Sequence, residues 1–217
     1  MATPRAAAAG RVDARRNRER LVAAARELFA SEGVDVSVRE IARRAGVGVG
    51  TLYRHFPARE ELVDAVLEEA FEEVVASAEA ALAEPDPWLG FRRFVEEALA
   101  LRARNRGLKD VAEAHMRGRR RAAAMRRRLR PPLERLVARA RDAGALRADF
   151  TPEDVPLLFW GSDRVLELTA GVSPELWRRH LGFLLDGLRA GAATPLGQGP
   201  LTPAELRRVG RERRRRA

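Results

Sequence analysis

A chain of 217 residues is long enough for one large domain or two small ones around a sizeable core, so a disulfide-stapled miniprotein is excluded. The formal charge is +10, from 41 Lys+Arg against 31 Asp+Glu, and cysteine is absent, which removes disulfides, thiolate metal ligands and cysteine nucleophiles together. No apolar run approaches the roughly 20 residues that span a bilayer, and the Ala6 to Ala9 run is too short for a signal-peptide core, so the chain reads as cytoplasmic.

Apolar residues recur at spacings of three and four along the chain and nowhere alternate usefully with period two, which predicts an all-α fold. Leu21, Ala25, Leu28 and Phe29 form the first stripe, and Gly33 ends that helix with a left-handed cap. A second stripe runs from Glu60 to Leu82 through Val63, Val66, Ala70, Val74 and Ala78, and Glu84-Pro85-Asp86-Pro87 breaks it. Trp88 to Leu101 resumes the period through Phe91, Val95 and Leu99, and Gly107 is the next break. Met125, Leu129, Leu133, Leu136, Val137 and Ala140 lie on a further helix that Pro131-Pro132 should kink or restart and Gly144 should end. Thr151-Pro152 and Ser173-Pro174 each suit a helix start, with the hydroxyl as cap and the proline in the first turn. They introduce helices over 155–168 and 176–188 that are apolar on more than one side. After Gly191 the composition turns to Ala, Pro, Gly and then Arg, which reads as a poorly ordered tail.

The charge follows this organisation. Residues 1 to 57 hold 11 basic and 6 acidic side chains, residues 58 to 203 hold 23 of each, and residues 204 to 217 hold 7 against 2. A neutral middle between two basic ends suggests a polyanion-binding segment joined to a module with another task. The plainer explanation is a genome that writes arginine wherever a solvated charge serves, since Lys109 is the only lysine.

The most specific stretch is Ser37 to Phe56, SVREIARRAGVGVGTLYRHF. Ser37 and Glu40 make the S-x-x-E capping box, and Val36 can staple onto Ile41. Ala42 is small where two helices would cross, and Gly46 can adopt the left-handed turn between them. Ile41, Val47 and Leu52 face inward at the spacing of a helix-turn-helix. An ordinary helical hairpin in a bundle core would not leave Arg39, Tyr53, Arg54 and His55 facing outward.

From Ile41 to Leu62 the sequence IARRAGVGVGTLYRHFPAREEL resembles the signature of the TetR family of bacterial transcriptional regulators, I-A-x-x-A-G-V-S-x-G-T-L-Y-x-Y-F-x-x-K-E-x-L. The likeness extends over Arg16 to roughly Ala70; beyond that it is architectural, with RGLKD and PELWRRHLGFLLDGL similar to segments in one branch of the family. Gly48, His55 and Arg59 stand where the family commonly has Ser/Thr, Tyr and Lys. The resemblance implies a three-helix helix-turn-helix DNA-binding head followed by a helical ligand-binding and dimerisation domain. It also implies that Arg39 reaches a base edge, its planar fork suiting guanine O6 and N7. Val49, Gly50 and Thr51 then open the recognition helix in the major groove, with Tyr53, Arg54 and His55 beside them as phosphate or base contacts. Arg59 becomes a phosphate clamp at a helix N-terminus, and Arg11, Arg15, Arg16 and Arg18 a basic arm near the backbone or minor groove.

Other signals are weaker. Gly46-x-Gly48-x-Gly50 is no nucleotide fingerprint, since no strand precedes it. His55, His115 and His180 have no carboxylate at ligand spacing, so neither metal nor cofactor is expected. No nucleophile–base set or paired acid motif points to an enzyme. The eight arginines between Arg117 and Arg130 read first as a solvated face, with an anion-attracting gate or a DNA-facing surface as the sharper options. Trp88, Phe91, Phe94, Met116, Met125, Phe159, Trp160 and Asp163 are candidate effector-pocket residues, though such side chains at helical spacing also make plain core.

The expected organisation is a disordered basic arm over 1–13, a helix-turn-helix domain over 14–60, a helical regulatory and dimerisation domain over 61–191 and a disordered arginine-rich tail over 192–217. The expected function is a homodimeric regulator, paired through 155–168 and 176–188. It binds a palindromic site in double-stranded DNA and is released by a small-molecule effector. A constitutive DNA-compacting protein without an inducer is the alternative.

Overall fold

The computed structural model describes residues 4–33, 35–104 and 119–216, with side chains over 12–33, 35–104, 127–191, 193–210 and 212. Among these residues the fold is all-α. The helices are α1 (Pro4–Glu32), α2 (Val38–Ala45), α3 (Val49–His55), α4 (Arg59–Leu82), α5 (Pro87–Arg104), α6 (Arg119–Asp142), α7 (Asp154–Thr169), α8 (Leu176–Leu188) and α9 (Pro203–Arg216), with a short 3-10 turn at Ala190–Ala192.

The chain divides into two units, the first running to Phe71 and the second taking residues from Glu72 to Ala103 and from Arg120 onward. The first unit is a helix-turn-helix head. The buried stripe of α1 (Leu21, Ala25, Leu28, Phe29) closes on Ile41, Ala42 and Ala45 of α2 and Leu52 of α3. Leu62, Val63 and Val66 of α4 belong to the same core, so the head extends past the boundary expected at residue 60. The physical reason is the apolar stripe of α4, whose first turns pack into this core.

The core of the second unit joins α5, α6, α7 and α8. Phe91 meets the ring of Phe150 edge-on at 5.6 Å, and Phe94 meets Phe159 at 6.4 Å. Leu136, Val137, Leu166, Trp177 and Leu181 belong to it, as do Ala78 and Ala81 of α4. Gly90 allows α5 to lie against the end of α4, because a Cβ there would come within 2.6 Å of the Ala81 carbonyl oxygen. Arg139 of α6 donates to the carbonyls of Leu82 and Pro85 at 2.9 and 2.7 Å, satisfying acceptors that the end of α4 leaves open.

Several local expectations change. Helix α6 contains both Pro131 and Pro132 without an assigned break. Asp86 caps α5, its Oδ1 accepting from the amides of Trp88 and Leu89. Thr151 is not the N-cap of α7: its amide and hydroxyl both donate to Asp154 Oδ2, at 2.8 and 2.9 Å, so the carboxylate in the first turn folds back onto the approach. Glu153 and Glu175 occupy the N-cap positions of α7 and α8, without side-chain cap bonds. Residues 4–13, expected as a disordered arm, continue α1 towards its start. The tail expected to be disordered carries α9, for which Thr202-x-x-Glu205 forms a capping box. The Glu205 amide donates to Thr202 Oγ1, and the Thr202 amide and hydroxyl donate to Glu205 Oε2. An isolated antiparallel bridge pairs Leu146 with Arg189, and no strand is assigned among the described residues. The break expected at Gly107 lies outside them.

Candidate nucleic-acid interface and regulatory core

Helix α2 begins as its capping box dictates: the Glu40 amide donates to Ser37 Oγ at 3.2 Å, with Val36 buried ahead of the cap. It ends at Gly46 in the left-handed conformation, φ 64°, where the Gly46 and Val47 amides return to the carbonyls of Arg43 and Ala42. This turn delivers α3 with Leu52 buried and Val49 half-buried against the head core. Gly48 caps α3 through its backbone alone, so nothing on its side covers the first turn.

The opposite face is open. Arg39, Gly50, Tyr53 and Arg54 are exposed, while Thr51 and His55 are half-buried. Arg54 is held along α3 by bonds to Thr51 Oγ1 at 3.2 Å and to the Gly50 carbonyl at 3.4 Å. The arginines of α2 differ in their commitments. Arg43 pairs with Glu40, whose carboxyl that hydrogen bond holds below its ordinary pKa, and Arg44 pairs with Glu27 at 3.0 Å. Arg39 has no carboxylate partner among the described residues, so its fork is uncommitted.

Arg59 sits at the first turn of α4, half-buried, with its guanidinium 6.0 Å from the centre of the Phe29 ring. Its Nη2 is buried without a hydrogen-bond partner. A buried guanidinium nitrogen normally has an acceptor, so the position is unusual within the head. The basic arm is less uniform than expected. Arg15 is engaged with Glu19 at 2.8 Å, and Arg18, itself exposed, lies over the Phe56 ring at 5.2 Å.

The expected effector residues separate into groups. Phe91 and Phe94 are fully buried in ring contacts and belong to the core. Phe94, Phe159 and Asp163 come together: Arg102, whose guanidinium lies 5.5 Å from the Phe159 ring centre, makes a two-pronged pair with Asp163, Nε to Oδ1 at 2.8 Å and Nη2 to Oδ2. Ser162 beside them is fully buried with an unpartnered hydroxyl. Trp160 is half-buried. Trp88 lies instead on a groove with Trp177. Met116 and the side chain of Met125 lie outside the described residues. The sequence reading missed Arg102, Ser162 and Trp177, since the partner of Arg102 is 61 residues away and no local spacing announces it.

Of the arginines between 117 and 130, three have described side chains: Arg127 is exposed, Arg128 pairs with Glu72, and Arg130 reaches Glu134 and Glu153. Arg128 and Arg130 agree with a solvated, ion-paired face. No group of His, Asp and Glu among the described residues could hold a metal, and no described helix is long and apolar enough to cross a membrane.

A helix-turn-helix with an open cationic recognition face, followed by a larger helical unit, defines a class of DNA-binding regulatory proteins. Residues 21–66 match the family model of bacterial regulatory proteins of the tetR family, and residues 86–190 match that of the SbtR-like transcriptional regulator C-terminal domain. A TetR transcription regulatory protein from Mycobacterium vanbaalenii is 33% identical, covering 82% of this chain and 98% of that one with a TM-score of 0.61. The TetR regulator SCO0520 of Streptomyces coelicolor is 30% identical, covering 79% and 98%, also with a TM-score of 0.61. An HTH-type transcriptional regulator of Staphylococcus aureus (strain COL) is 47% identical over 53 residues, which is 24% of this chain and 29% of that protein's length. The chain belongs to the TetR family of bacterial transcriptional regulators.

Proposed function

We propose that the protein is a dimeric repressor whose two heads read a palindromic operator and release it when a small molecule enters the regulatory unit. The observation that carries the DNA reading is the uncommitted Arg39 beside the open first turn of α3, on a head whose neighbouring arginines are already paired. Arg39 reads a base edge, Val49, Gly50 and Thr51 enter the major groove, and Tyr53, Arg54, His55 and Arg59 hold the flanking phosphates.

Pairing through α7 and α8 is supported by the apolar surface they leave uncovered: Leu157 and Leu168 on α7, Leu176 and Phe183 on α8. Two-fold symmetry then sets two half-sites roughly 34 to 36 Å apart. Effector control is supported by the polar set inside the second unit. The Ser162 hydroxyl lacks a partner, and the Arg102–Asp163 pair lies beside Phe94 and Phe159, so a ligand with polar atoms could supply what the buried groups lack. A ligand that favours the released state by roughly 1 to 3 kcal/mol lowers operator affinity about 5- to 150-fold.

The arginine-rich helix α9 favours a second reading, constitutive DNA binding without an effector. Selecting bound sites from random duplexes separates the two. A discrete palindrome, lost on addition of a stabilising metabolite, is the outcome the repressor expects. Uniform coverage of DNA that no compound relieves supports the constitutive binder.

A further inference from the structure

A groove of about 440 Å³ opens between α5 and α8, outside the buried set around Arg102 and Asp163, and its size falls within the range of small-molecule sites. Trp88, Arg92 and Glu96 line it from one face of α5 at steps of four, and residues from Trp177 to Arg189 line it from α8 and its end. The two indoles are 5% and 1% exposed, and each keeps a buried N–H without an acceptor. Both orphans therefore lie among the residues of a single groove. Buried indole N–H groups ordinarily find a partner, so two beside one opening are unusual for plain core.

The charges add a direction. Arg92 is committed to Glu96 at 2.7 Å and Arg178 to Glu175 at 2.5 Å. Arg189 stacks on the Trp88 ring at 4.5 Å and has no carboxylate partner among the described residues. Arg178 also covers the Trp177 ring at 4.3 Å, so a flat ring carrying a carboxylate would meet the Arg189 cation while lying in the groove along the edges that Trp88, Trp177, Leu181 and Leu185 present to it. Asp186, which also has no ion-pair partner among the described residues, would take a hydroxyl or ammonium donor on the same molecule.

We infer that this groove between α5 and α8 is a binding site for a small aromatic carboxylate. The site stands on its own chemistry, and only its effect on DNA rests on the effector reading above. It lies beside the Trp177–Leu181–Leu185 face of α8, whereas Phe183 belongs to the uncovered face proposed to pair.

Three tryptophans make the test direct, because each contributes one indole resonance and only Trp160 lies outside the groove lining. The probe is 2-naphthoate, titrated into the full-length ¹⁵N-labelled protein, with 2-naphthamide as the uncharged control. The resonances of Trp88 and Trp177 should move together while that of Trp160 stays. Gly182→Leu should weaken naphthoate by about tenfold or more without unfolding the protein, since a side chain there fills the groove and no heavy atom lies within 4 Å of its Cβ. Arg189→Ala should abolish the preference for naphthoate over naphthamide. Unmoved Trp88 and Trp177 resonances at about 1 mM probe, or unchanged affinity in Gly182→Leu, overturn the site. Operator affinity, measured in parallel, keeps the two readings apart. A compound that releases DNA equally from Gly182→Leu and the parent overturns the groove as effector site and leaves the repressor standing. Naphthoate bound in the groove with operator affinity unchanged supports the site and counts against its role in release.

Discussion

Arg39 and Arg59 differ in their surroundings, and the difference decides what each loses on truncation. Arg39 is exposed and uncommitted, whereas Arg59 is half-buried with one nitrogen already desolvated. Arg39→Ala should cost roughly 1 to 3 kcal/mol per half-site and relax preference at one base pair, leaving random-sequence binding nearly unchanged. Arg59→Ala should weaken cognate and random duplexes alike and lower the salt slope by about one per contact. Fluorescence anisotropy on both duplexes over a salt series checks the pair, and equal losses on the two duplexes for both variants would remove base reading from Arg39. At the same scale, Ser37→Ala should destabilise the head by about 1 kcal/mol, because the Glu40 amide loses the cap hydroxyl and keeps only the Ser37 carbonyl as acceptor at the start of α2; a thermal melt reads it. The Ser37 cap and the Gly46 turn were legible because caps and turns are local patterns, whereas the roles expected of Arg39 and Arg59 came from the family resemblance. Ser162 and Arg102 were not legible, since their significance lies in partners missing or far along the chain.

At the scale of elements, a glycine in α5 and one in α8 respond in opposite directions to the same substitution. Gly90→Ala in α5 would drive a Cβ into the Ala81 carbonyl, a backbone atom that cannot step aside cheaply, and should destabilise by roughly 1 to 3 kcal/mol. Gly182→Ala in α8 meets nothing within 4 Å and should stabilise by about 0.5 to 1 kcal/mol through helix propensity. Urea unfolding of the two variants tests the sign in each case, and two shifts of the same sign contradict the packing account. Helix existence was readable from apolar spacing, but helix starts were less so. Thr151 and Asp154 carry equivalent cap chemistry, and only the geometry decides that the carboxylate of Asp154 accepts from Thr151. The α9 capping box was hidden by a composition that reads as disordered, although Thr202 and Glu205 have the spacing that made α2 conspicuous.

For the whole molecule, the proposed dimer makes a different demand on each face of α8. Leu181 is 1% exposed within the chain's own core, so an acid there unfolds the second unit and reports nothing about pairing. Phe183, 62% exposed and with Arg179 over its ring at 4.8 Å, is the informative position. Phe183→Asp should give a folded monomer with operator affinity reduced at least about tenfold, because two half-sites are no longer bound together. Sedimentation checks it, and a folded dimer at micromolar concentration with unchanged operator binding defeats the assignment of this face. The broad two-part organisation was visible in the charge distribution and the motif. The boundary was not, because α4 contributes Leu62 to Val66 to the head core and Ala78 and Ala81 to the other within one uninterrupted stripe.

Arg147 sets a tether. Its guanidinium donates to the Thr194 carbonyl at 2.8 Å as well as to Asp149, and its amide donates to the Leu188 carbonyl at 2.9 Å, so the chain beyond α8 is fastened at Thr194. Between that anchor and α9 stand residues 195–202, without helix, which at full extension span at most about 29 Å. The start of α9, the helix that carries the seven arginines after Pro203, therefore lies within that radius of the Thr194 anchor. Any polyanion inside that radius meets them at a high effective concentration, and one outside it does not. Arg147→Ala would untie the anchor and lengthen the tether without altering a single charge on the helix it holds.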